Sequence, residues 1–255
     1  MSELVYTDEA GERPEAFVPW SVASSVSPLD SALRPVLTRK DFHRLMKDPE
    51  WQQMEIAKCQ RDPWYWRVNY VVTTDGHWAA KGRAGQFERW PALEHSRSYT
   101  YVLWRYPIVA IPKSRQRMAT WLVTSQMLGD AMFLGGRLYM IQSKRHEDAK
   151  KALDRVRGVY EQMYKMAPWL VPKLVKNDAS ELGWSNGSVM MAVPQGANYV
   201  QSHTPAWWMA DEIQLQEGAE EAFRHAAPAC ERMTLVGTAD YGWFYQDLLR
   251  GGVVQ

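Results

Sequence analysis

The chain has 255 residues, 46% of them hydrophobic and 23% charged, which is enough to bury a sizeable core in one large domain or in a domain with an extension. Its formal net charge of +1 gives no polyelectrolyte signature, so any contact with nucleic acid has to come from a local patch. The two cysteines, Cys59 and Cys230, lie far apart and outside ligand-like spacing, which argues against a disulfide framework or a zinc site. No stretch approaches the roughly 20 apolar residues of a transmembrane helix. Met1 to Pro14 is acidic and polar where a signal peptide is basic and then apolar, so the expected location is the cytoplasm of the cell that makes the protein.

Residues 1 to about 36 carry Pro14, Pro19, Pro28 and Pro35 among several serines without sustained periodicity, the pattern of a flexible N-terminal arm; residues 37–255 read as one folded domain. From Thr38 to about Gln60 the pattern is helical, with Thr38 as N-cap and Phe42, Leu45 and Met46 at helical spacing. Pro49 interrupts it, and Met54, Ala57 and Lys58 continue it. Asp62-Pro63 opens a short aromatic segment, Trp64 to Val72, and a polar loop with Gly76, Gly82 and Gly85 follows. Tyr99 to Arg105 reads as a short helix or strand, and Ile108 to Ile111 as a strand. The helix after Thr120 runs to about Leu134, where Gly135-Gly136 is a stop signal.

Arg137 to Ile141 is a buried-strand candidate that ends at Gln142-Ser143. The clearest helix follows: Ala149, Ala152, Val156, Val159, Met163 and Ala167 step by three or four, Glu147 and Asp148 sit in the first turn, and Pro168 ends it. After Pro172, two β-like runs, Ser180 to Trp184 and Ser188 to Val193, flank Asn186-Gly187, a hairpin signal for an antiparallel pair. Gly196 to Thr204 reads as a polar loop. The apolar run from Ala206 closes on Asp211-Glu212, Glu217 to Ala227 is helical, Met233 to Val236 is a buried strand ending in Gly237-Thr238-Ala239, and Phe244 to Leu249 begins a helix. This alternation predicts an α/β fold, a mainly parallel sheet flanked by helices with an antiparallel addition. The tryptophans, Trp121 and Trp207-Trp208 among them, stand mostly in apolar or helical context and are read as core.

The strand Ile108 to Ile111 runs into a polar segment, Pro112-Lys113-Ser114-Arg115-Gln116-Arg117-Met118-Ala119-Thr120, and then into a helix. That is the layout of a phosphate-binding loop, G-x-x-x-x-G-K-S/T, whose backbone N–H groups wrap phosphates at a helix N-terminus. Lys113 falls on the first glycine of that template, Met118 on the second, Ala119 on the lysine and Thr120 on the hydroxyl residue. Only the hydroxyl is in place, and taken alone the stretch reads more readily as a basic strand-to-helix turn. Asp211-Glu212 adds the second half of a nucleotide site: one carboxylate at a strand end for Mg²⁺, the next for the attacking water. Gln142 and Ser143 stand at a strand end on the same sheet edge, where ligands gather in open α/β folds. The histidines show no paired spacing for a metal.

These segments, Lys113-Ser114-Arg115-Gln116 with Thr120, Gln142-Ser143 before Glu147-Asp148-Ala149-Lys150, Asn186-Gly187-Ser188, Asp211-Glu212 and Gly237-Thr238-Ala239, come in an order that resembles the large terminase subunits of tailed bacteriophages. The resemblance covers roughly Phe87 to Asp247. Members of that family are ATP-driven motors that package viral DNA, often with a deviant Walker A loop whose basic residue stands at its beginning. Lys113 inherits that role by resemblance, and Met118, where most members have Gly, is a departure.

The resemblance implies a P-loop NTPase-like fold that binds ATP through Lys113, Ser114, Arg115, Gln116, Ala119 and Thr120. It also implies that Thr120 and Asp211 hold Mg²⁺ and that Glu212 orients or activates water. Arg115 stabilises developing charge in cis or pairs with a carboxylate of the fold. By the same resemblance, Gly237, Thr238 and Ala239 are expected to form the coupling motif that reports nucleotide state. Phe87 to Pro91 looks like the segment leading to the adenine side.

The partners implied are double-stranded DNA, the portal of the procapsid, the small terminase subunit and further copies of the chain in a ring on the portal, in the host-cell cytoplasm and with no membrane. The RNase H-like nuclease domain of complete large terminases is expected to be absent, since only Asp240 and Asp247 are acidic after Ala239. Two other readings stay open: a nucleotide-binding assembly module that does not hydrolyse ATP, and a helicase-like DNA-remodelling ATPase.

Lys113 is the only lysine of the loop, so Lys113→Ala should abolish or severely weaken ATP binding while Ala119→Ser is tolerated. Titration calorimetry checks this, and equal affinity in Lys113→Ala and wild type would refute it.

Overall fold

Caps set the N-terminal helices. The computed structural model of the protein describes residues 34–74, 87–112 and 118–238, so most of the arm, the loop with Gly76, Gly82 and Gly85, and the helix expected from Phe244 lie outside the described residues. Helix α1 (Arg39–Leu45) opens on a capping box: the Asp41 N–H donates to Thr38 Oγ1 at 3.3 Å and the Thr38 N–H to Asp41 Oδ2 at 2.7 Å. Pro49 starts a second helix, α2 (Pro49–Arg61), where the pattern suggested only an interruption. A proline at the first helical position loses only an N–H that would be orphaned anyway, and Asp48 caps the Trp51 N–H at 3.2 Å.

The same device recurs at Asp62-Pro63. Asp62 Oδ1 accepts from the Trp64 and Tyr65 N–H groups at 3.0 and 2.9 Å and starts α3 (Pro63–Tyr70), so the aromatic segment is a helix, all of it buried. Strands β1 (Val72–Thr73) and β2 (Glu88–Arg89) pair antiparallel. Helix α4 (Glu94–Arg105) begins well before Tyr99, and its N-cap, Leu93, makes no side-chain cap bond that could have marked the start.

The main sheet is built from β3 (Ile108–Pro112), β4 (Leu138–Ser143), β5 (Leu174–Asp178), β6 (Glu181–Trp184), β7 (Val189–Val193), β8 (Trp207–Asp211) and β9 (Arg232–Gly237), in the order β3-β9-β8-β4-β7-β6-β5. From β3 to β7 the neighbours run parallel. β6 is antiparallel to both β7 and β5, which makes the expected antiparallel addition one strand larger than the hairpin signal indicated. β5 escaped the sequence because it is an edge strand with exposed residues from Val175 to Asp178, so no apolar alternation marks it.

Four helices complete the layers: α5 (Ala119–Phe133), α6 (His146–Met166), α7 (Ala197–Gln201) and α8 (Ala219–Ala226). α7 lies inside the stretch read as a polar loop; it is a single five-residue piece after Gly196 without a side-chain cap, too short to show a period.

Strand residues alternate between two cores, as the period of two requires. Val109, Ile111, Tyr139, Ile141, Trp207, Met209 and Val236 belong to the larger core with α3, α5 and α6, whereas Met140, Trp208, Ala210, Met233 and Leu235 belong to the smaller one with α7 and α8. Trp207 and Trp208 are thus both core residues, one on each face. The fold is an α/β sandwich, a mainly parallel sheet with helices packed on both faces.

Helix α5 is buried on nearly every side, from Trp121 to Gly129 without a break. The sheet covers one side of it, and α3, α4 and α6 pack around the rest. At Gly129 a Cβ would stand 2.9 Å from the Trp66 ring, so only glycine allows α3 to lie this close. Arg67, fully buried on α3, donates to Ser125 Oγ, to the Leu122 carbonyl at 3.0 Å and to Gln126 Oε1 at 2.7 Å, and its guanidinium lies 4.6 Å from the Trp90 ring centre. Burial pushes it down to about 9, which still leaves it charged at neutral pH.

Asp62 also accepts from the Tyr101 hydroxyl at 3.0 Å. Asp62→Ala strands the Trp64 and Tyr65 N–H groups, so it should lower stability by about 2 kcal/mol, with Asp62→Asn milder. Denaturant unfolding measures both.

Candidate nucleotide site

Parallel register brings the strand ends to one edge. Pro112 stands opposite Gly237, Val236 opposite both Ile111 and Asp211, Asp211 opposite Ser143, and Gln142 opposite Val193. This is the carboxyl edge of the parallel strands, the place where open α/β sheets take ligands. Helix α5 starts at the same edge, one residue after Met118, so the orphan N–H groups of its first turn lie there too.

Thr120 is the second residue of α5 and Asp211 the last of β8, and the strand β9 lies between β8 and β3. Across that strand the two side chains meet: Thr120 Oγ1 donates to Asp211 Oδ2 at 2.7 Å. The other carboxylate oxygen, Oδ1, accepts the Glu212 N–H at 2.9 Å, and the Asp211 carbonyl accepts from Gln216 Nε2 at 2.9 Å. The Asp211 side chain is therefore oriented through both oxygens. A hydroxyl and a carboxylate converging in this way fit Mg²⁺, a hard cation that takes one or two protein oxygens and keeps several waters.

Two non-glycine residues flank this contact in left-handed backbone. Met118 has φ 56 and caps α5, with its carbonyl accepting the Leu122 N–H at 2.9 Å; Glu212 has φ 53 and turns the chain out of β8 so that Ile213 can be buried in the smaller core. The left-handed conformation is where glycine costs least. Met118, at the place of the second glycine in the phosphate-loop template, holds left-handed backbone at a strain cost and packs its side chain against the larger core.

The Glu212 carboxylate is paired with Lys144 Nζ at 3.0 Å. Gln142 is fully buried and donates from Nε2 to the Pro194 and Gly196 carbonyls at 2.7 and 3.1 Å, which ties the turn after β7 to β4; its Oε1 has no hydrogen-bond partner. Ser143 is buried beside it, opposite Asp211. Gly237 ends β9 opposite Pro112, and Thr238 is exposed just beyond.

The structure therefore brings Thr120, Ala119, Asp211, Glu212, Gln142, Ser143 and Gly237 to one edge. Lys113, Ser114, Arg115 and Gln116 of the loop, and Ala239 of the coupling segment, lie outside the described residues. Sequence reasoning missed Lys144 and Gln216. Lys144 had a signal, being the first residue after the strand-end pair Gln142-Ser143, while Gln216 had none.

No family model and no curated protein sequence matches the chain. Among solved structures, its neighbours include phage large terminases and their ATPase domains. The ATPase domain of the Thermus phage P74-26 large terminase aligns at 14% identity and TM-score 0.44, over 60% of this chain and 73% of that one. The HK97 bacteriophage large terminase aligns at 13% identity and TM-score 0.47, over 69% of this chain and 36% of that one. A large terminase from a thermophilic bacteriophage aligns at 15% identity and TM-score 0.42, over 58% of this chain and 38% of that one. The chain thus spans little more than a third of the full large terminases.

The strain at Met118 has a measurable consequence. Met118→Gly should be more stable than Met118→Ala by about 1 kcal/mol, the reverse of the order inside a helix, because both lose the side-chain packing and only glycine relieves the backbone. Paired thermal melts of the two variants decide it.

Proposed function

We propose that the chain is a Mg²⁺-dependent ATPase, the motor domain of a phage large terminase whose ATP hydrolysis powers DNA packaging. The observation that carries the reading is the 2.7 Å contact of Thr120 with Asp211. It joins the start of the helix after the loop to a strand end across an intervening strand, and Glu212 follows directly.

In this reading the loop Lys113-Ser114-Arg115-Gln116 and the first turn of α5 receive the phosphates, with Lys113 neutralising the outer ones and Arg115 close enough in sequence to act on the charge that develops in transfer. Thr120 and Asp211 would hold the Mg²⁺ that accompanies ATP, which supplies charge neutralisation between the outer phosphates. Glu212 orients the water for in-line attack and takes up its proton as the bond to the leaving ADP breaks. Gly237 ends the strand beside β3, and with Thr238 and Ala239, the next residues in sequence, it passes a change in the phosphates to the rest of the chain.

The packaging role, with double-stranded DNA, the procapsid portal, the small subunit and a ring of copies as partners in the host-cell cytoplasm, rests on the resemblance of the motifs in sequence. Among the described residues no helix is long and apolar enough to cross a membrane.

Glu212→Gln keeps size and hydrogen bonding but removes the charge that polarises water. It should bind Mg·ATP normally and lose turnover by on the order of 10²-fold or more, whereas Asp211→Asn should weaken Mg²⁺-dependent binding. Phosphate-release kinetics with binding titrations test both. Wild-type turnover in Glu212→Gln would overturn the assignment, and binding without turnover in the wild type would favour the assembly module.

A further inference from the structure

We propose that Lys144 is a positioning residue for Glu212, holding its carboxylate in the orientation used for attack; this rests on the ATPase reading above. The sheet register generates the contact. Ser143 and Asp211 are opposite each other on the parallel neighbours β4 and β8, and Lys144 and Glu212 are the next residues along those two chains. Residues at matching places on parallel strands leave the sheet side by side, and here the two side chains close to 3.0 Å.

The backbone of Glu212 is fixed by its left-handed conformation and by its N–H on Asp211 Oδ1, but neither constrains the three torsions of its side chain. Lys144 is the cation paired with that carboxylate among the described residues. The neighbouring cation Arg145 is taken by Asp148, at 2.7 and 3.2 Å.

Side-chain exposures of 34% for Lys144 and 37% for Glu212 mean that such a pair adds little to stability. The carboxylate it orients stands one residue from Asp211, where a small misplacement is costly to rate. Lys144 thus acts on turnover through Glu212 and not on ATP binding.

The test is steady-state ATP hydrolysis by the full chain with Mg²⁺, in the wild type, Glu212→Gln, Lys144→Met, Lys144→Arg and the double variant Glu212→Gln with Lys144→Met, each checked for folding by circular dichroism. Lys144→Met should lower kcat on the order of tenfold with KM for Mg·ATP unchanged, and Lys144→Arg should restore most of it. In the Glu212→Gln background, Lys144→Met should add no further loss, because its route to the reaction is already gone. If Lys144→Met does not fold, Lys144→Gln takes its place, keeping a long polar side chain without the charge.

An unchanged or raised kcat in the charge-removing variant would overturn the inference. So would a raised KM at unchanged kcat, which would put Lys144 on the phosphates, or a further loss in the double variant. Turnover in the wild type that Glu212→Gln abolishes and Lys144→Met leaves intact would refute this inference alone, whereas a wild type with no turnover above Glu212→Gln would refute the ATPase reading as well.

Discussion

A helix with no polar face has to be covered on every side, and α5 is such a helix. The parallel sheet can shield only one side of it. The remaining surface is closed by α6 and by α3 and α4, which is why an N-terminal layer of short helices is part of the fold and why all of α3 is apolar or paired inward. The fit is tight enough that Gly129 leaves no room for a Cβ against Trp66. Arg67 is the charged exception in α3, and it is tolerated because it answers groups of α5 itself, a serine hydroxyl, a carbonyl and the Gln126 amide oxygen.

The candidate site inherits its precision from that burial. Thr120 stands in the first turn of a helix that cannot shift, and Asp211 ends a strand buried on both faces, so the contact between them is set by rigid elements and not by loops. Around it the chain accepts strain. Met118 and Glu212 both sit in left-handed backbone, one delivering the chain into α5 and the other turning it out of β8 towards Ile213. Strain on both sides of one carboxylate contact is the pattern expected where geometry matters more than local comfort.

Much of this was legible beforehand. The periodicity of Ala149 to Ala167 marked α6, the apolar runs marked β3, β4, β8 and β9, and Asn186-Gly187 marked the β6–β7 hairpin. The illegible parts share a cause: their signals are not local. β5 is held by pairing with β6 and not by apolar alternation, α4 starts without a capping side chain, and α7 is too short to show a period. Pro49 reads as a break and Pro63 only as the opening of an aromatic segment, yet both are helix starts, because the aspartate before each satisfies N–H groups that the helix leaves open.

For the site, residue types were readable but proximity was not. The sequence by itself determined that a hydroxyl follows a basic loop at Thr120, that two acids close an apolar run at Asp211-Glu212, and that the chain alternates strands and helices. Only the tertiary structure decided that β9 inserts between β3 and β8, which brings Thr120 to Asp211 across a strand, and that β4 lies on the other side of β8, which brings Lys144 to Glu212. Strand order arises from how buried faces are shared across the whole sheet, a property no local window of residues contains. The left-handed turn at Met118 is likewise a demand of the packed helix behind it, imposed on a residue whose own preference is otherwise.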